Sequence, residues 1–531
     1  MRRRSQLIAT ALAVGALLAG GVTAIAQDAG ASEARVPDRF AGQRITWQAC
    51  FDPNNLPPGF PPGSERLECG TYRTPRDWHN PDDGNELTLA VSRLRPVGGQ
   101  AKGSVLTNPG GPGGAGRTLP LAFLGRARLL DHLEIIGIDV RGTGDSTNVT
   151  CGNYDWLALT DPRDRTRANL DLHFGAAEQQ ARSCQVSSGE LDAFVNTEQT
   201  VRDLDLLRHL LGREKVNWIG YSGGSWLGAY YATYFPKRVD KFVLDSNAEF
   251  TSTFQTVFDS FVMGFERRFR VDFLPWVAKY DSLYHLGTTG EQVRQNYEQL
   301  RAKLAARPLP LPDGSQFTAP LLDFSLARTL YSKLSFPDGA ASFAALRRAV
   351  DQPDPASAEA AKSVAALGRY PDAVNATFHA IVCNDTRFQG DRRYLERRTA
   401  DLGKQYPLLG WYQLAAPCAS WQRPPLRLKT PTGQGVPPVL MVQSVRDPAT
   451  PLEGARRAHQ KFAGSRMLTV TDEGDHGIYA FGNPCVDDVV ESFMVDGVVP
   501  PRDSTCAGVP LPDPTAALAT PSQQRPFGWP L

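Results

Sequence analysis

The sequence lacks an excess of either charge, because its 57 Lys and Arg residues balance 56 Asp and Glu residues for a formal net charge of +1. A near-neutral chain lacks the electrostatic footprint expected of proteins that bind nucleic acid or anionic lipid surfaces. The hydrophobic content of 41% is too high for a disordered chain. We therefore expect a globular protein without a nucleic-acid partner.

The sequence also lacks long apolar runs and metal-binding patterns after its first 26 residues. No later stretch approaches the roughly 18 consecutive apolar residues of a transmembrane helix, so we expect no stable membrane association. None of the eight cysteines belongs to a Cys-x-x-Cys pair or to a Cys/His cluster with zinc spacing. We therefore expect no metal and no organic cofactor.

The amino terminus has the three parts of a secretory signal peptide. Arginines at positions 2–4 precede an uncharged apolar run at 7–19, and Ala24-Ile25-Ala26 fits the small-x-small cleavage pattern. A transmembrane anchor is the alternative, but the run is short and rich in Ala and Gly. We predict a signal peptide over 1–26, a pro-segment or linker over 27–43, and a secreted, extracellular protein.

The rest of the chain alternates short apolar runs with helical patterns, which is typical of an α/β protein with a mostly parallel sheet and helices on both faces. This alternation stops over 248–430, where the pattern is helical throughout and predicts an inserted cap domain. The predicted core therefore has two parts, 44–247 and 431–510, followed by a Pro-rich tail over 511–531. The predicted strands include 103–107, 133–139, 216–219, 241–245, 438–443 and 466–470.

The strongest chemical signal is the segment Gly220–Gly224, which matches Gly-x-Ser-x-Gly between a predicted strand and a predicted helix. In that context the serine lies on a tight turn, and its neighbours two residues away must be small. The turn raises the hydroxyl above the sheet, next to the amino end of the following helix. We therefore predict that Ser222 is a nucleophile, against the alternative of a Gly/Ser turn without chemistry.

A serine nucleophile requires a general base, and in this fold the chain order is Ser, acid, His. Two histidines follow the predicted cap, and only His476 lies in a loop just after a strand, whereas His459 lies in a predicted surface helix. Asp447 follows the preceding strand and is the predicted acid. The alternatives are that Asp447 only caps a helix, or that Asp475 is the acid.

The predicted oxyanion hole combines two backbone N–H groups. The glycine-rich loop 108–116 follows a predicted strand and lacks the Gly-Lys-Ser/Thr ending of a phosphate loop. Its position suits one donor, for which we predict Gly111, and Gly223 supplies the other. A tight structural turn is the alternative for this loop. Together these residues predict an acyl-enzyme hydrolysis mechanism.

Five motifs, in this order, resemble the secreted tripeptidyl aminopeptidases of actinobacteria, which are prolyl-aminopeptidase-like α/β-hydrolases. They are Asn108–Gly114 (NPGGPGG), Asp139–Ser146 (DVRGTGDS), Gly220–Gly224 (GYSGG), Gln443–Asp447 (QSVRD) and Gly474–Gly477 (GDHG). The resemblance extends over residues 47–506 and implies an α/β-hydrolase fold with a helical cap. It also implies a serine exopeptidase that removes short peptides, tripeptides in particular, from substrates with free N-termini. The chain departs from the family where Gly223-Gly224 replaces the frequent Tyr-Gly after the serine.

Two other functions remain open at this point. A secreted carboxylesterase or lipase would use the same triad, so the triad does not distinguish peptides from esters. A hydrolase fold used only for binding would lack a triad member, whereas all three residue types are present. We further expect a monomer.

An aminopeptidase must bind the α-ammonium group of its substrate, so we expect a carboxylate in the cap. Asp385 is the first candidate and Glu249 the second. The secreted context makes disulfides the expected state of all eight cysteines. Sequential pairing is the simplest scheme: Cys50–Cys69, Cys151–Cys184, Cys383–Cys418 and Cys485–Cys506.

Overall fold

One ten-stranded sheet organises the chain. The computed structural model describes residues 36–516 except 53–55, 57–58, 159, 353–358, 360, 363 and 366–369. The predicted signal peptide, most of the predicted pro-segment and the end of the tail lie outside these residues. The strands are β1 (Gln48–Ala49), β2 (Glu68–Pro75), β3 (Glu86–Leu94), β4 (Gly103–Asn108), β5 (Leu133–Ile138), β6 (Val216–Tyr221), β7 (Val239–Asp245), β8 (Leu309–Pro310), β9 (Gln316–Phe317), β10 (Val439–Ser444), β11 (Ser465–Thr471) and β12 (Ser504–Ala507).

The sheet has the strand order β1-β2-β3-β5-β4-β6-β7-β10-β11-β12. Antiparallel pairing joins β1, β2, β3 and β5, whereas the pairs from β5 through β4 to β12 are parallel. Parallel strands need crossover connections, which here are largely helical. The carboxyl ends of the parallel strands therefore meet at one edge, where functional loops gather in open α/β sheets.

Helices cover both faces of the sheet. Trp218 and Phe242 belong to the hydrophobic core on one face, whereas their neighbours Ile219 and Val243 belong to the core on the other. This alternation follows from the period of two in a strand, and the cover on both faces explains why every residue of β5 and β6 is buried. The predicted α/β-hydrolase fold class is thus confirmed. The helices are Asp38–Ala41, Ala127–Leu130, Arg167–Ser188, Thr197–Leu210, Gly223–Tyr234, Phe254–Arg268, Leu274–Lys279, Asp281–Tyr284, Gly290–Ala306, Ala319–Leu330, Phe336–Asp351, Asp372–Asp385, Arg392–Gln405, Leu452–Lys461 and Pro484–Asp496.

The chain between β7 and β10 is mostly helical. Its longest described helices are Phe254–Arg268, Gly290–Ala306 and Phe336–Asp351. In the described residues of this segment, the only strands are β8 and β9, which form a short antiparallel hairpin. The segment contributes most of the residues that lie above the carboxyl edge of the sheet around Ser222. We refer to the chain between β7 and β10 as the helical segment.

All eight cysteines form disulfides within the chain, and the pairing is sequential. Each bridge closes a loop of moderate length, with sequence separations of 19, 33, 35 and 21 residues in chain order. In the chain-entropy account, each such crosslink stabilises the fold by about 3 to 4 kcal/mol. The four bonds are Cys50–Cys69, Cys151–Cys184, Cys383–Cys418 and Cys485–Cys506.

None of the helices in the described part of the chain combines the length and the apolar character that crossing a bilayer requires.

Candidate active site

Ser222 occupies a strained turn between β6 and the Gly223–Tyr234 helix. Its φ of 56° and ψ of −121° are unusual for a residue with a side chain, and such strain persists only where the surroundings enforce it. The N–H of Ser222 donates to the carbonyl of Asp245 at 3.0 Å, which joins this turn to the end of β7. The turn presents Ser222 to a cavity above the sheet.

Gly220 and Gly224 lie two residues before and after Ser222, and both pack so closely against backbone atoms that no side chain fits at either position. A Cβ on Gly220 would lie 2.3 Å from the carbonyl oxygen of Gly224, and one on Gly224 would lie 2.5 Å from the carbonyl oxygen of Asn108. Backbone atoms cannot move aside as a flexible side chain does. The Gly-x-Ser-x-Gly pattern is therefore explained by the turn that it forms.

The glycine-rich loop after β4 lies directly against the serine turn. A Cβ on Gly110, whose φ is 93°, would lie 2.3 Å from the carbonyl oxygen of Tyr221. A Cβ on Gly223 would lie 3.2 Å from the backbone nitrogen of Gly111. Gly111, Ser222 and Gly223 line the same cavity. The two predicted oxyanion donors therefore lie beside the serine.

Asp447 and His476 form a buried pair. Nδ1 of His476 lies 2.9 Å from one carboxylate oxygen of Asp447 and 3.1 Å from the other, and neither side chain is more than 1% exposed. The Asp447 carboxylate also accepts hydrogen bonds from the N–H groups of Ala449 at 3.0 Å and Thr450 at 2.8 Å. These bonds hold the carboxylate in one orientation. The carboxylate can in turn hold the imidazole with Nδ1 protonated.

The loop after His476 is fixed by Asp245 and Ser246 at the end of β7. One oxygen of the Asp245 carboxylate accepts hydrogen bonds from the N–H groups of Ile478 at 2.9 Å and Tyr479 at 2.8 Å. The Ser246 hydroxyl accepts from Gly477 at 2.7 Å. Burial raises the pKa of Asp245 to about 6 in spite of the two N–H donors.

Asp245 therefore joins two parts of the site, because its backbone carbonyl binds the serine turn and its side chain binds the histidine loop. Sequence reasoning missed this residue. The available signal was its position, an acid at the end of a strand that neighbours β6.

Asp475, the alternative acid, faces the helical segment instead of His476. Its carboxylate accepts from the guanidinium of Arg268 at 2.6 Å and from the N–H of Lys333 at 2.7 Å. Next to it, the ammonium group of Lys333 forms a buried ion pair with Glu473. The adjacent loop that carries His476 is thus bound by charge to the helices above it.

His459, the other histidine considered as a base, lies away from this pair. Its Nδ1 is 2.7 Å from the hydroxyl of Ser465, and its Nε2 is 3.0 Å from a carboxylate oxygen of Asp503. These contacts fasten the Leu452–Lys461 helix to the edge of the sheet.

The cavity above Ser222 has mostly apolar walls. Most of its wall residues belong to the helical segment. The aromatic residues of the wall are Phe254, Phe258, Phe261, Phe324, Tyr331, Tyr370 and Phe378.

The structure places neither predicted amine-binding carboxylate on this cavity. Asp385 is buried, and its two oxygens accept from the N–H and the hydroxyl of Thr197 at 2.8 and 2.6 Å. Burial raises the pKa of Asp385 to about 7. Glu249 is bound by Arg457 through two hydrogen bonds of 2.9 and 2.6 Å. Both carboxylates therefore have structural partners, and neither lines the cavity.

Comparisons with known proteins agree with this geometry. Residues 406–506, which include Asp447 and His476, match the family model described as TAP-like protein. The chain is 34% identical to a tripeptidyl aminopeptidase of Streptomyces lividans, over 90% of this chain and 89% of that protein. It is 27% identical to serine protease Hip1 of Mycobacterium tuberculosis, over 95% of this chain and 98% of that protein. It is 28% identical to carboxylesterase B of the same organism, over 96% of this chain and 99% of that protein.

The relationship to the Streptomyces enzyme extends over most of both chains. The similarity therefore concerns the whole architecture and not one motif. Together with the fold, it shows that this chain is a serine hydrolase that belongs to the tripeptidyl aminopeptidase family of α/β-hydrolases.

Proposed function

We propose that this protein is a secreted serine exopeptidase that releases short peptides, tripeptides in particular, from the free N-termini of peptide substrates. The buried Asp447–His476 pair, together with the strained Ser222 turn, is the observation that carries the proposal. Its relatives include a tripeptidyl aminopeptidase and a serine protease, which supports peptides as the substrate class.

In the proposed mechanism His476 removes the proton of Ser222, whose oxygen attacks the scissile carbonyl carbon. The N–H groups of Gly111 and Gly223 stabilise the resulting oxyanion. Asp447 holds the imidazole tautomer and stabilises the imidazolium. His476 then protonates the leaving amine, and water releases the acyl group by the same steps.

We propose that the helical segment forms the predicted cap over 248–430, between core parts 44–247 and 431–510. We propose that it encloses the substrate, because it supplies most of the wall above Ser222. Export is supported by the four disulfides, which form and persist in oxidising compartments. We propose that the secreted form acts as a monomer, which size-exclusion chromatography with light scattering tests.

The decisive experiment compares the wild-type protein with S222A on free-amine tripeptide p-nitroanilides. We expect S222A to lose about 10⁶-fold in kcat, since removal of the nucleophile disables the triad as a unit. Its melting temperature and circular dichroism spectrum should stay close to those of the wild type. Full activity in S222A would refute the proposed nucleophile.

A carboxylesterase is the second candidate, favoured by the apolar cavity and by the similarity to carboxylesterase B. Rates on the free-amine tripeptide anilide, its N-acetylated form and a p-nitrophenyl acyl ester distinguish the two functions. An exopeptidase should prefer the free amine to the acetylated amide. An esterase should cleave the ester alone at a useful rate.

A further inference from the structure

Tyr331, in the helical segment, contacts His476 in two ways. The two rings lie with their centroids 5.3 Å apart and their planes at 86°. The backbone carbonyl of Tyr331 accepts a hydrogen bond from the N–H of His476 at 2.9 Å. The tyrosine also lines the cavity above Ser222. One residue of the helical segment therefore contacts both the main chain and the side chain of the predicted base.

The two residues after Tyr331 bind the residue before His476. The Ser332 hydroxyl donates to the Asp475 carboxylate at 3.2 Å, and the N–H of Lys333 donates to the same carboxylate at 2.7 Å. Three consecutive residues of the helical segment thus contact the loop that carries the histidine. These contacts fix the main chain of the loop, and they leave the rotation of the histidine ring to be fixed by contacts with the ring itself.

The imidazole has two such contacts that differ in kind. The Asp447 carboxylate, 2.9 Å from Nδ1, directs one edge of the ring. The side-chain torsion that rotates a histidine ring has broad energy wells, so packing has to restrict it further. The Tyr331 ring, perpendicular to the imidazole, supplies that packing. Phe265, which is fully buried, holds the tyrosine ring in turn, with centroids 5.2 Å apart.

We propose that Tyr331 is a positioning residue, which holds the His476 imidazole in the orientation that removes the proton of Ser222. This assignment rests on the proposed function, in which His476 is the general base. Tyr331 acts through its ring and its backbone carbonyl, and its hydroxyl group takes part in no proton transfer. The helical segment then helps to activate the serine, in addition to forming the wall of the cavity.

The test compares Y331L, which removes the aromatic ring, with Y331F, which keeps it. The substrates are a free-amine tripeptide p-nitroanilide and p-nitrophenyl acetate, whose acyl group is too small to fill the cavity. We expect Y331L to lower kcat on both substrates by about 10- to 100-fold, with little change in KM for the peptide, because a misplaced base slows the chemical steps. Labelling of Ser222 by a fluorophosphonate probe should slow to a similar extent.

Y331F should stay within about twofold of the wild type in all three measurements, because the contact between the two rings is kept. This conservative variant separates the ring from the hydroxyl group. A loss in Y331F as large as that in Y331L would overturn the proposed action through the ring.

Tyr284 supplies a matched control within the helical segment. It is 8% exposed against 9% for Tyr331, and its ring packs against Trp276 with centroids 5.8 Å apart. It does not belong to the residues that line the cavity. Y284L should lower the melting temperature about as much as Y331L does, because both lose a buried aromatic ring, but it should be labelled by the probe at the wild-type rate.

The outcomes separate a positioning role from the alternatives. Slow labelling that is confined to Y331L and restored in Y331F supports the assignment. A Y331L variant that loses only peptide affinity, through KM with normal labelling, overturns it, because Tyr331 would then act only as a wall. Equally slow labelling in Y284L also overturns it. A wild-type enzyme that cleaves the ester but not the peptide overturns the exopeptidase function alone, because the labelling rates still decide the role of Tyr331.

Discussion

The guanidinium of Arg268 donates to the carboxylate of Asp475 at 2.6 Å, and this ion pair joins the helical segment to the residue that precedes His476. Both side chains are buried, at 0% and 7% exposure. The same guanidinium binds Asp272, which also accepts from Arg446 at 2.9 Å. The position of the histidine loop thus depends on charges contributed from above the sheet.

Loss of the buried positive charge of Arg268 should destabilise the folded protein. We expect R268Q to lower the free energy of unfolding by about 3–5 kcal/mol, because two buried carboxylates lose their shared partner. Urea titration measures this change. Arg267 is the matched control, since it pairs with Glu453 at the surface at 2.7 Å, and R267Q should cost no more than about 1 kcal/mol. Equal losses in the two variants would contradict a special role for the Arg268 pair.

Removal of the Asp447 charge should affect the rate far more than the fold. In D447N the amide can still contact His476, but it favours the wrong tautomer of the ring, so kcat should fall by about 10⁴-fold. Steady-state kinetics on a free-amine tripeptide anilide measures the loss. A loss below tenfold would show that another carboxylate supports His476.

Asp385 should make the stability of the protein depend on pH. Its pKa is raised by burial to about 7, so the folded state binds its proton more tightly than the unfolded state does. This contribution to stability is complete below about pH 4 and is lost as the pH rises through about 7. D385N should reduce the difference in unfolding free energy between pH 4 and pH 8 by about 4 kcal/mol. Denaturant titrations at both pH values measure this difference. A difference that D385N leaves unchanged would contradict the raised pKa of Asp385.

Gly110 should tolerate no side chain. Alanine there would place its Cβ 2.3 Å from the carbonyl oxygen of Tyr221 and would move the loop away from the serine turn. We expect G110A to slow fluorophosphonate labelling of Ser222. Gly84 is the matched control, because its φ of 84° is also positive but nothing lies within 4 Å of its Cβ position. G84A should therefore label at the wild-type rate, with a stability cost of about 1–2 kcal/mol at most.

Much of the site was accessible from the sequence because its signals are local. The serine turn requires glycines at fixed spacing, and Asp447 and His476 each follow an apolar strand at the edge where parallel strands end. The structure brings these two residues together at 2.9 Å. Their catalytic roles remain predictions until the variants above are measured.

The partners of Asp245 and Asp385 could not be read in the same way. Asp245 binds backbone N–H groups more than 230 residues away. Backbone N–H groups occur at nearly every residue, so the sequence does not indicate which of them an aspartate will bind. Asp385 is predicted to bind the substrate amine because an aminopeptidase needs a carboxylate in the cap and the neighbouring Cys383 could hold it in place. Its burial against Thr197 arises from contacts between distant helices, which periodicity does not reveal.

The order of the strands along the chain also determines when the site can exist. Synthesis completes β6 and Ser222 first, then the whole helical segment, and only afterwards β10 and β11 with Asp447 and His476. A nascent chain that has folded as far as β7 therefore contains the serine turn but not yet the buried pair of Asp447 and His476, which forms only after β10 and β11 have been made.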